Sequence, residues 1–509
     1  VYYITMDTSN CYIGQKGFTI LKKDITPEKL EEIRTELVLS PKEGFGIKKA
    51  HKPDIIKIPV YRENAEKLYI PRFYGVEKFG NPPTTKLSPG DSIDIPFVNP
   101  LRDYQEKIVK IYIDHVTQTA NGGGGILEVP CGKGKTIMAL YIASQLKKKT
   151  LILVHKEFLM NQWIDRIRDF LPSARVGIIQ GSTFDINNKD IVIGMIQTMY
   201  NREYKLDTFS SFGLTIIDEV HRIGSEEFSK TLTKVVTPYM LGISATVDRK
   251  DGLTDILYMF IGPKIYHEER KEDDIVQVRG IQYEDPNDIE FNTVEYDFRG
   301  NVKYSTMVSR ISDHLPRSRF LVRIIKDLMD ENDQNQIMIL SHKRDLLTYI
   351  HDEINTQEIA SCGYYVGGMK QKNLQETESK QIVLATYAMA AEALDIKTLN
   401  TLVMVSPKTD IVQSVGRILR TRGNGKIIVD VIDPHEVFQN QWKKRKTFYN
   451  KSGYITRVVK SEEYDGMRVD WENDKRWRLV TTKKRKGKSI DNEDHDLPKC
   501  LIPLDNIGI

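Results

Sequence analysis

The chain has 509 residues, with 74 Lys+Arg against 70 Asp+Glu and a formal net charge of +4. An apolar share of 40% and a charged share of 28% are ordinary for soluble globular protein, and the overall charge does not announce a nucleic-acid binder. Length suggests about three or four domains. The four cysteines, Cys11, Cys131, Cys362 and Cys500, stand far apart without a C-x-x-C pair. That spacing argues against a zinc site or a disulfide framework and fits a reducing compartment. No apolar run reaches about 18 residues and no signal peptide is visible, so the expectation is a soluble intracellular protein, nuclear or cytoplasmic.

Residues 1–95 read as a first, accessory unit, with nucleic-acid binding as one expectation for it. Thr26-Pro27-Glu28-Lys29 predicts a helix start, with Thr26 as cap and Pro27 in the first turn, running to about Leu37. Asn81-Pro82-Pro83 and Pro89-Gly90-Asp91 mark the boundary that follows.

From 96 to 270, apolar runs alternate with helical segments: Gly125–Val129, Leu151–His155, Ile191–Met195, Leu214–Asp218 and Leu241–Ser244. Near-continuous apolar runs predict parallel strands covered on both faces, hence a doubly wound α/β sheet. After the first run comes Pro130-Cys131-Gly132-Lys133-Gly134-Lys135-Thr136, with Val129 where the strict phosphate-loop pattern has glycine. A strand, a glycine-rich turn and a helix N-terminus make a phosphate site from backbone N–H groups and the helix dipole. Lys135 would meet the β- and γ-phosphates, and the Thr136 hydroxyl would ligate Mg²⁺. Leu214–Asp218 ends in a carboxylate pair: Asp218 can hold Mg²⁺ through water, and Glu219 can polarise an attacking water.

A polar stretch from 267 to 316 reads as a linker with one strand around Ile275–Tyr283. A second alternating set then follows, Gln336–Ser341, Gln381–Thr386, Thr401–Ser406 and Lys426–Asp433, without a phosphate loop. Residues 271–440 thus form a second lobe, and 441–509 a basic extension. Between 441 and 490 there are 16 Lys+Arg against 6 Asp+Glu, interspersed with Trp442, Phe448, Tyr449, Trp471 and Trp477. That mixture suits phosphate contact with base stacking, and equally a solvated tail or a nuclear-import signal.

Gly-Lys-Gly-Lys-Thr, Asp218-Glu219-Val220-His221, Ser244-Ala245-Thr246 and Gln413-Ser414-Val415-Gly416-Arg417-Ile418-Leu419-Arg420 occur in the order of the motifs of superfamily 2 helicases, which the chain resembles over about 100–435. The run from Ser244 to Leu253 with Ile261-Gly262-Pro263 resembles the branch holding the XPB and UvsW helicases and the transcript-release helicases of large cytoplasmic DNA viruses. The resemblance implies two tandem RecA-like lobes with ATP and Mg²⁺. It places Arg102 and Gln105, in Leu101-Arg102-Asp103-Tyr104-Gln105, at the adenine; an amide donates to and accepts from an adenine edge at once. Arg417 and Arg420 would be arginine fingers, and Gln413 a nucleotide sensor coupled to His221. Ser244 and Thr246 would couple hydrolysis to strand movement. Asp395 would meet the ribose or orient a finger, although Ala393 stands where the family has glycine. Lys156, Gln197, Thr198, His342, Lys343 and Thr386 would touch the nucleic-acid backbone, which fixes position without reading sequence.

The expected activity is an ATP-dependent helicase or translocase, with DNA favoured over RNA as partner and transcription or repair as the setting. The alternative is a nucleoprotein-remodelling or transcript-release factor without processive unwinding. A viral source would place it in a viral factory or virion.

Overall fold

The apolar runs form two parallel sheets, each in its own unit, with the chain dividing at 270/271. The computed structural model describes residues 9–40, 57–119, 121–130, 133–220, 225–247, 253–268, 276–392, 396, 398–409, 411, 415, 425–466 and 474–480.

In the first unit an eight-stranded sheet runs, edge to edge, Thr183–Phe184, Val176–Gln180, Ile191–Met195, Thr150–Val154, Leu214–Asp218, Tyr239–Ser244, Gly124–Glu128 and Lys264–His267. Only the first pairing is antiparallel. The central strands are buried along their whole length, which is why they read as unbroken apolar runs. Lys264–His267 and Val176–Gln180 were not expected: the first is short, and the second alternates instead of running apolar.

Residues 9–85 fold onto this lobe with a five-stranded sheet of their own, in the order Arg62–Glu63, Lys67–Ile70, Gly17–Leu21, Tyr12–Gly14, Thr84–Thr85. The expected helix spans Pro27–Glu36, and the Thr26 hydroxyl accepts from the Lys29 N–H at 3.3 Å. One apolar core takes in Phe18, Ile20 and Leu68 together with Phe228, Leu257 and Ile261, so the boundary at 95 separates chain segments that share a core. Arg72 fastens the junction: it is 4% exposed and donates to the carbonyls of Thr237, Pro238 and Asn121, each at 2.8 Å. Burial pushes its pKa down to about 10, and among the described residues no carboxylate faces it.

The second unit holds another eight-stranded sheet: Cys362–Tyr365, Ile382–Thr386, Ile337–Ser341, Thr401–Met404, Lys426–Ile432, Val276–Gln282, Ile455–Lys460 and Arg478–Leu479. Val276–Gln282, expected as a linker strand, lies inside the sheet between Lys426–Ile432 and Ile455–Lys460. The boundary at 441 falls within the helix Glu436–Lys451, and the sheet continues beyond it. Residues 441–480 are therefore part of this lobe. Trp442, Tyr449 and Trp477 are 7%, 0% and 3% exposed, which overturns their reading as a base-stacking surface. Arg445, counted in the basic cluster, is buried and grips both oxygens of Asp430 at 2.8 Å, while the Tyr449 hydroxyl donates to Asp430 at 2.9 Å. Lys443 and Lys444 of the same cluster are exposed; Lys483-Lys484-Arg485-Lys486 and Trp471 lie outside the described residues.

With both lobes seen as helix-covered parallel sheets, the fold is α/β with two tandem RecA-like domains. Among the described residues, no helix is long and apolar enough to cross a membrane.

Candidate functional site

Three strands of the first sheet end side by side at their carboxyl edge, where open α/β sheets place ligands. Register pairs Asp218 with Ile243 and Ser244 with Glu128, so the carboxylate pair, the Ser244 turn and the start of the glycine-rich loop share that edge. The Val129 N–H donates to the Ser244 carbonyl at 2.9 Å, and the Glu219 N–H to the Ile243 carbonyl at 3.0 Å.

The loop leads into the helix Lys135–Leu146, whose first N–H groups have no acceptor within the helix. Gly134 precedes it at φ 80°, in the left-handed region. A Cβ there would stand 2.4 Å from Gln105 Nε2. Gln105 in turn ties the loop to the preceding helix, its Nε2 donating to the Lys133 carbonyl at 2.9 Å and its Oε1 accepting from the Arg102 N–H at 3.1 Å. The Tyr104 hydroxyl donates to the same carbonyl at 3.0 Å. Lys133 pairs with Glu268 at 3.1 Å, and Lys135 donates to the Val129 carbonyl at 3.2 Å. Pro130 is described; Cys131 and Gly132 lie outside the described residues.

Asp218 is buried and accepts from the Trp163 indole N–H at 2.9 Å. Burial, and then the neighbouring Glu219 charge, push its pKa up to about 7; the Trp163 hydrogen bond and the Lys135 charge oppose that rise. Glu219 holds φ 51°, unusual for a residue with a side chain and a recurrent mark of functional positions. The Ser244 hydroxyl is buried and donates to the Thr246 carbonyl at 2.5 Å, while the Thr246 side chain is exposed.

Two buried partners escaped the sequence reading. Trp163 is one; its signal was that a buried indole N–H needs an acceptor. The other is Glu128, 7% exposed, which accepts from the Val247 N–H at 3.0 Å and meets Lys264 and His267 at 2.9 Å each. It ties the strand before the loop to the segment after Thr246.

Lys156, Gln197 and Thr198 follow neighbouring strands whose ends pair Met195 with Val154, so they cluster at the same edge. The Thr198 hydroxyl accepts from the Gly181 N–H at 3.0 Å, and Gln197 is exposed. In the second unit Ser341 pairs with Thr386, which brings His342, Lys343 and Thr386 together. His342 turns inward: its Nε2 lies 2.9 Å from the Pro407 carbonyl, its ring 4.7 Å from that of Tyr387. Burial and the nearby Lys408 charge lower its pKa, which favours a neutral ring. His221, Asp395, Gln413, Arg417 and Arg420 lie outside the described residues.

Residues 99–249 match the family described as type III restriction enzyme, res subunit, and residues 320–422 the helicase conserved C-terminal domain. The L396 protein of Acanthamoeba polyphaga mimivirus, whose name calls it an ATP-dependent RNA helicase, is 34% identical over 477 residues, covering 91% of this chain and 90% of the relative. The chain is a superfamily 2 helicase. A helicase of Invertebrate iridescent virus 6, 161L, is 25% identical over 459 residues, 86% of this chain and 98% of the relative. The DNA 3'-5' translocase XPB2 of Sulfurisphaera tokodaii is 35% identical over 185 residues, 36% of this chain and 39% of the relative. The helicase therefore hydrolyses ATP and acts on nucleic acid. Its first unit sets a lysine, a helix N-terminus and two adjacent carboxylates at one sheet edge, a donor set suited to a triphosphate and a hard divalent cation.

Proposed function

We propose that this helicase is an ATP-driven translocase on DNA in which Lys135 and Thr136 bind the phosphates, Asp218 holds Mg²⁺ and Glu219 activates the attacking water. The observation that carries the assignment is the convergence of Lys135, Asp218 and Ser244 at one strand edge. The donor set fits Mg²⁺: hard oxygen ligands, with a buried Asp218 beside the half-buried Glu219, whose mutual repulsion a cation would offset. When bound, Mg²⁺ would neutralise charge developing on the phosphates. Gln105, bonded to the loop, would hold the base-side wall of the site, with Arg102 beside it.

Arg417 and Arg420 are retained as fingers, Gln413 and His221 as the sensing pair, and Asp395 as a ribose or finger-orienting group, all on the motif match. Lys156, Gln197, Thr198, Lys343 and Thr386 would hold the strand backbone. His342 would act from beneath, positioning Pro407 and Tyr387. The XPB2 similarity supports DNA, while the mimivirus relative's name supports RNA. Strand separation in transcription or repair is the setting we infer.

The test is ATPase rate with single- and double-stranded DNA and RNA, beside an unwinding assay on a tailed duplex. DNA should stimulate hydrolysis, and Lys135→Ala and Glu219→Gln should each abolish it. Turnover retained in both variants rules out the site. Stimulation without strand separation would identify a remodelling translocase, and stimulation by RNA alone would reassign the substrate.

A further inference from the structure

The amino-terminal sheet has two unlike faces. Register places Thr84, Tyr12, Thr19, Tyr69 and Arg62 in one cross-strand row, because residues directly opposite in a sheet point the same way. Lys67 lies two residues from Tyr69, and Lys86 two from Thr84, so both join that face by strand alternation. The other face carries Ile13, Phe18, Ile20, Leu68 and Ile70, at most 1% exposed each, and packs against the helix Arg72–Phe79. A Cβ on Gly75 of that helix would stand 2.3 Å from Phe18, which measures how closely the two approach.

On the first face the lysines lie over the tyrosines. Lys86 Nζ lies 4.2 Å and Lys67 Nζ 5.9 Å from the Tyr12 ring centroid, and Lys16 Nζ lies 4.7 Å from that of Tyr69. Among the described residues, none of these three ammonium groups has a carboxylate partner, whereas Lys22 and Arg34 nearby are paired with Glu63. The row ends at Arg62, which donates to the Thr233 carbonyl and so anchors the face to the ATP-binding lobe. Burial lowers the Arg62 pKa, with only weak compensation from Glu203. Two aromatic rings with unpaired cations around them have the composition of a stacking platform for a single strand: rings for bases, ammoniums for phosphates.

We propose that this face, built from Tyr12, Tyr69, Lys16, Lys67 and Lys86, is a second nucleic-acid site that holds a single strand outside the motor lobes. It rests on the reading of the protein as a nucleic-acid translocase and supplies the accessory segment with a substrate class. An incoming base takes the ring face on which a lysine now lies, and the displaced ammonium moves to the adjoining phosphate. The platform is sequence-tolerant because every base has a π-face.

The test uses the full chain and a fluorescein-labelled oligo(dT) or oligo(U) strand, with anisotropy titrations from about 50 to about 200 mM salt. The triple variant K16Q/K67Q/K86Q should bind more weakly and lower the slope of log K against log salt by about 2. The pair Tyr12→Leu and Tyr69→Leu, which keeps apolar bulk, should weaken binding with the slope preserved. A strand carrying 5-iodouracil should photo-crosslink to Tyr12 or Tyr69. An unchanged slope in the triple variant, with crosslinks confined to other peptides, overturns the proposal. The same oligonucleotides tested for ATPase stimulation of the unaltered protein separate the two failures. Absent stimulation removes the translocase reading, while intact stimulation with an unchanged slope removes only the second site.

Discussion

The Trp163 indole N–H donates to Asp218 Oδ2 at 2.9 Å, and both side chains are buried. That bond holds one carboxylate oxygen and favours its charged form, against burial and the adjacent Glu219. The carboxylate is the form a divalent cation requires. Trp163→Phe keeps the ring's bulk and deletes the donor. A hydrogen bond to a charged group contributes about 1.5–3 kcal/mol, so the acid limb of the ATPase pH profile should move up by roughly one pH unit. An acid limb that stays in place would show that Trp163 only fills space.

The same carboxylate makes stability depend on pH. Its pKa is raised from 3.8 to about 7 in the folded chain, so between those values the folded state binds more protons than the unfolded one. Stability therefore falls as pH rises from about 4 to about 7 and is level above that, by a total on the order of 4 kcal/mol. Asp218→Asn should remove this dependence. It should raise the melting temperature of the metal-free protein at pH about 8 while abolishing ATP hydrolysis. Thermal melts of both proteins across that range check it; identical pH dependence would mean that Asp218 is not the titrating group.

The parallel lobes were legible because their strands are buried on both faces: Ile191–Met195 and Leu214–Asp218 fall where the apolar runs end. The short strands were not. Tyr12–Gly14 and Arg62–Glu63 carry too few residues to show a period. The motif residues Lys135, Asp218 and Ser244 were legible from their order, but Trp163 and Glu128 act through partners 55 and 119 residues away in sequence, Asp218 and Val247, and only folding brings them together. The Trp442 and Tyr449 reading failed for a related reason. A Trp-Lys-Lys-Arg-Lys run looks basic and exposed until Asp430, on the strand before its helix, is seen to claim Arg445.

Glu128 should behave as a positioning residue. In Glu128→Ala the Val247 N–H loses its acceptor in a buried setting, and Lys264 loses its 2.9 Å contact with Glu128. The loss should be about 1–3 kcal/mol for the orphaned donor, read as a lower melting temperature. Glu128→Gln keeps an acceptor for Val247 and should recover most of that stability. A nucleotide KM that rises in Glu128→Ala and returns in Glu128→Gln would tie the brace to the loop. An unmoved KM would leave it a purely structural contact.

Gly134 offers a sharper probe of the loop. Alanine there must hold φ 80° and set its Cβ 2.4 Å from Gln105 Nε2. Gly134→Ala should therefore weaken nucleotide binding by about tenfold or more, since left-handed strain alone costs about 1–2 kcal/mol. Measured against Gln105→Ala alone, which itself loses the base-side amide and its bond to Lys133, the double variant lacks the clash but keeps the strain, so its binding should recover toward the Gln105→Ala level only in part. Full recovery would mean that the backbone at 134 relaxes freely, and no effect in the single variant would show that Gln105 moves aside at little cost.

Truncation separates the lobe from the basic segment beyond it. A chain ending at 440 loses Arg445, Tyr449 and the strand Ile455–Lys460, leaving Asp430 buried without its guanidinium and Val276–Gln282 at an open sheet edge. Stripping one partner from a buried ion pair costs about 3–5 kcal/mol, so the second unit of that chain should not unfold cooperatively. A chain ending at 480 keeps each of those groups and removes Lys483-Lys484-Arg485-Lys486. It should melt as the full chain does, with a shallower salt dependence of strand binding if that cluster meets phosphates. Denaturant melts and salt titrations on both chains decide the matter: a stable, cooperative 1–440 would return residues 441–480 to the status of an appendage.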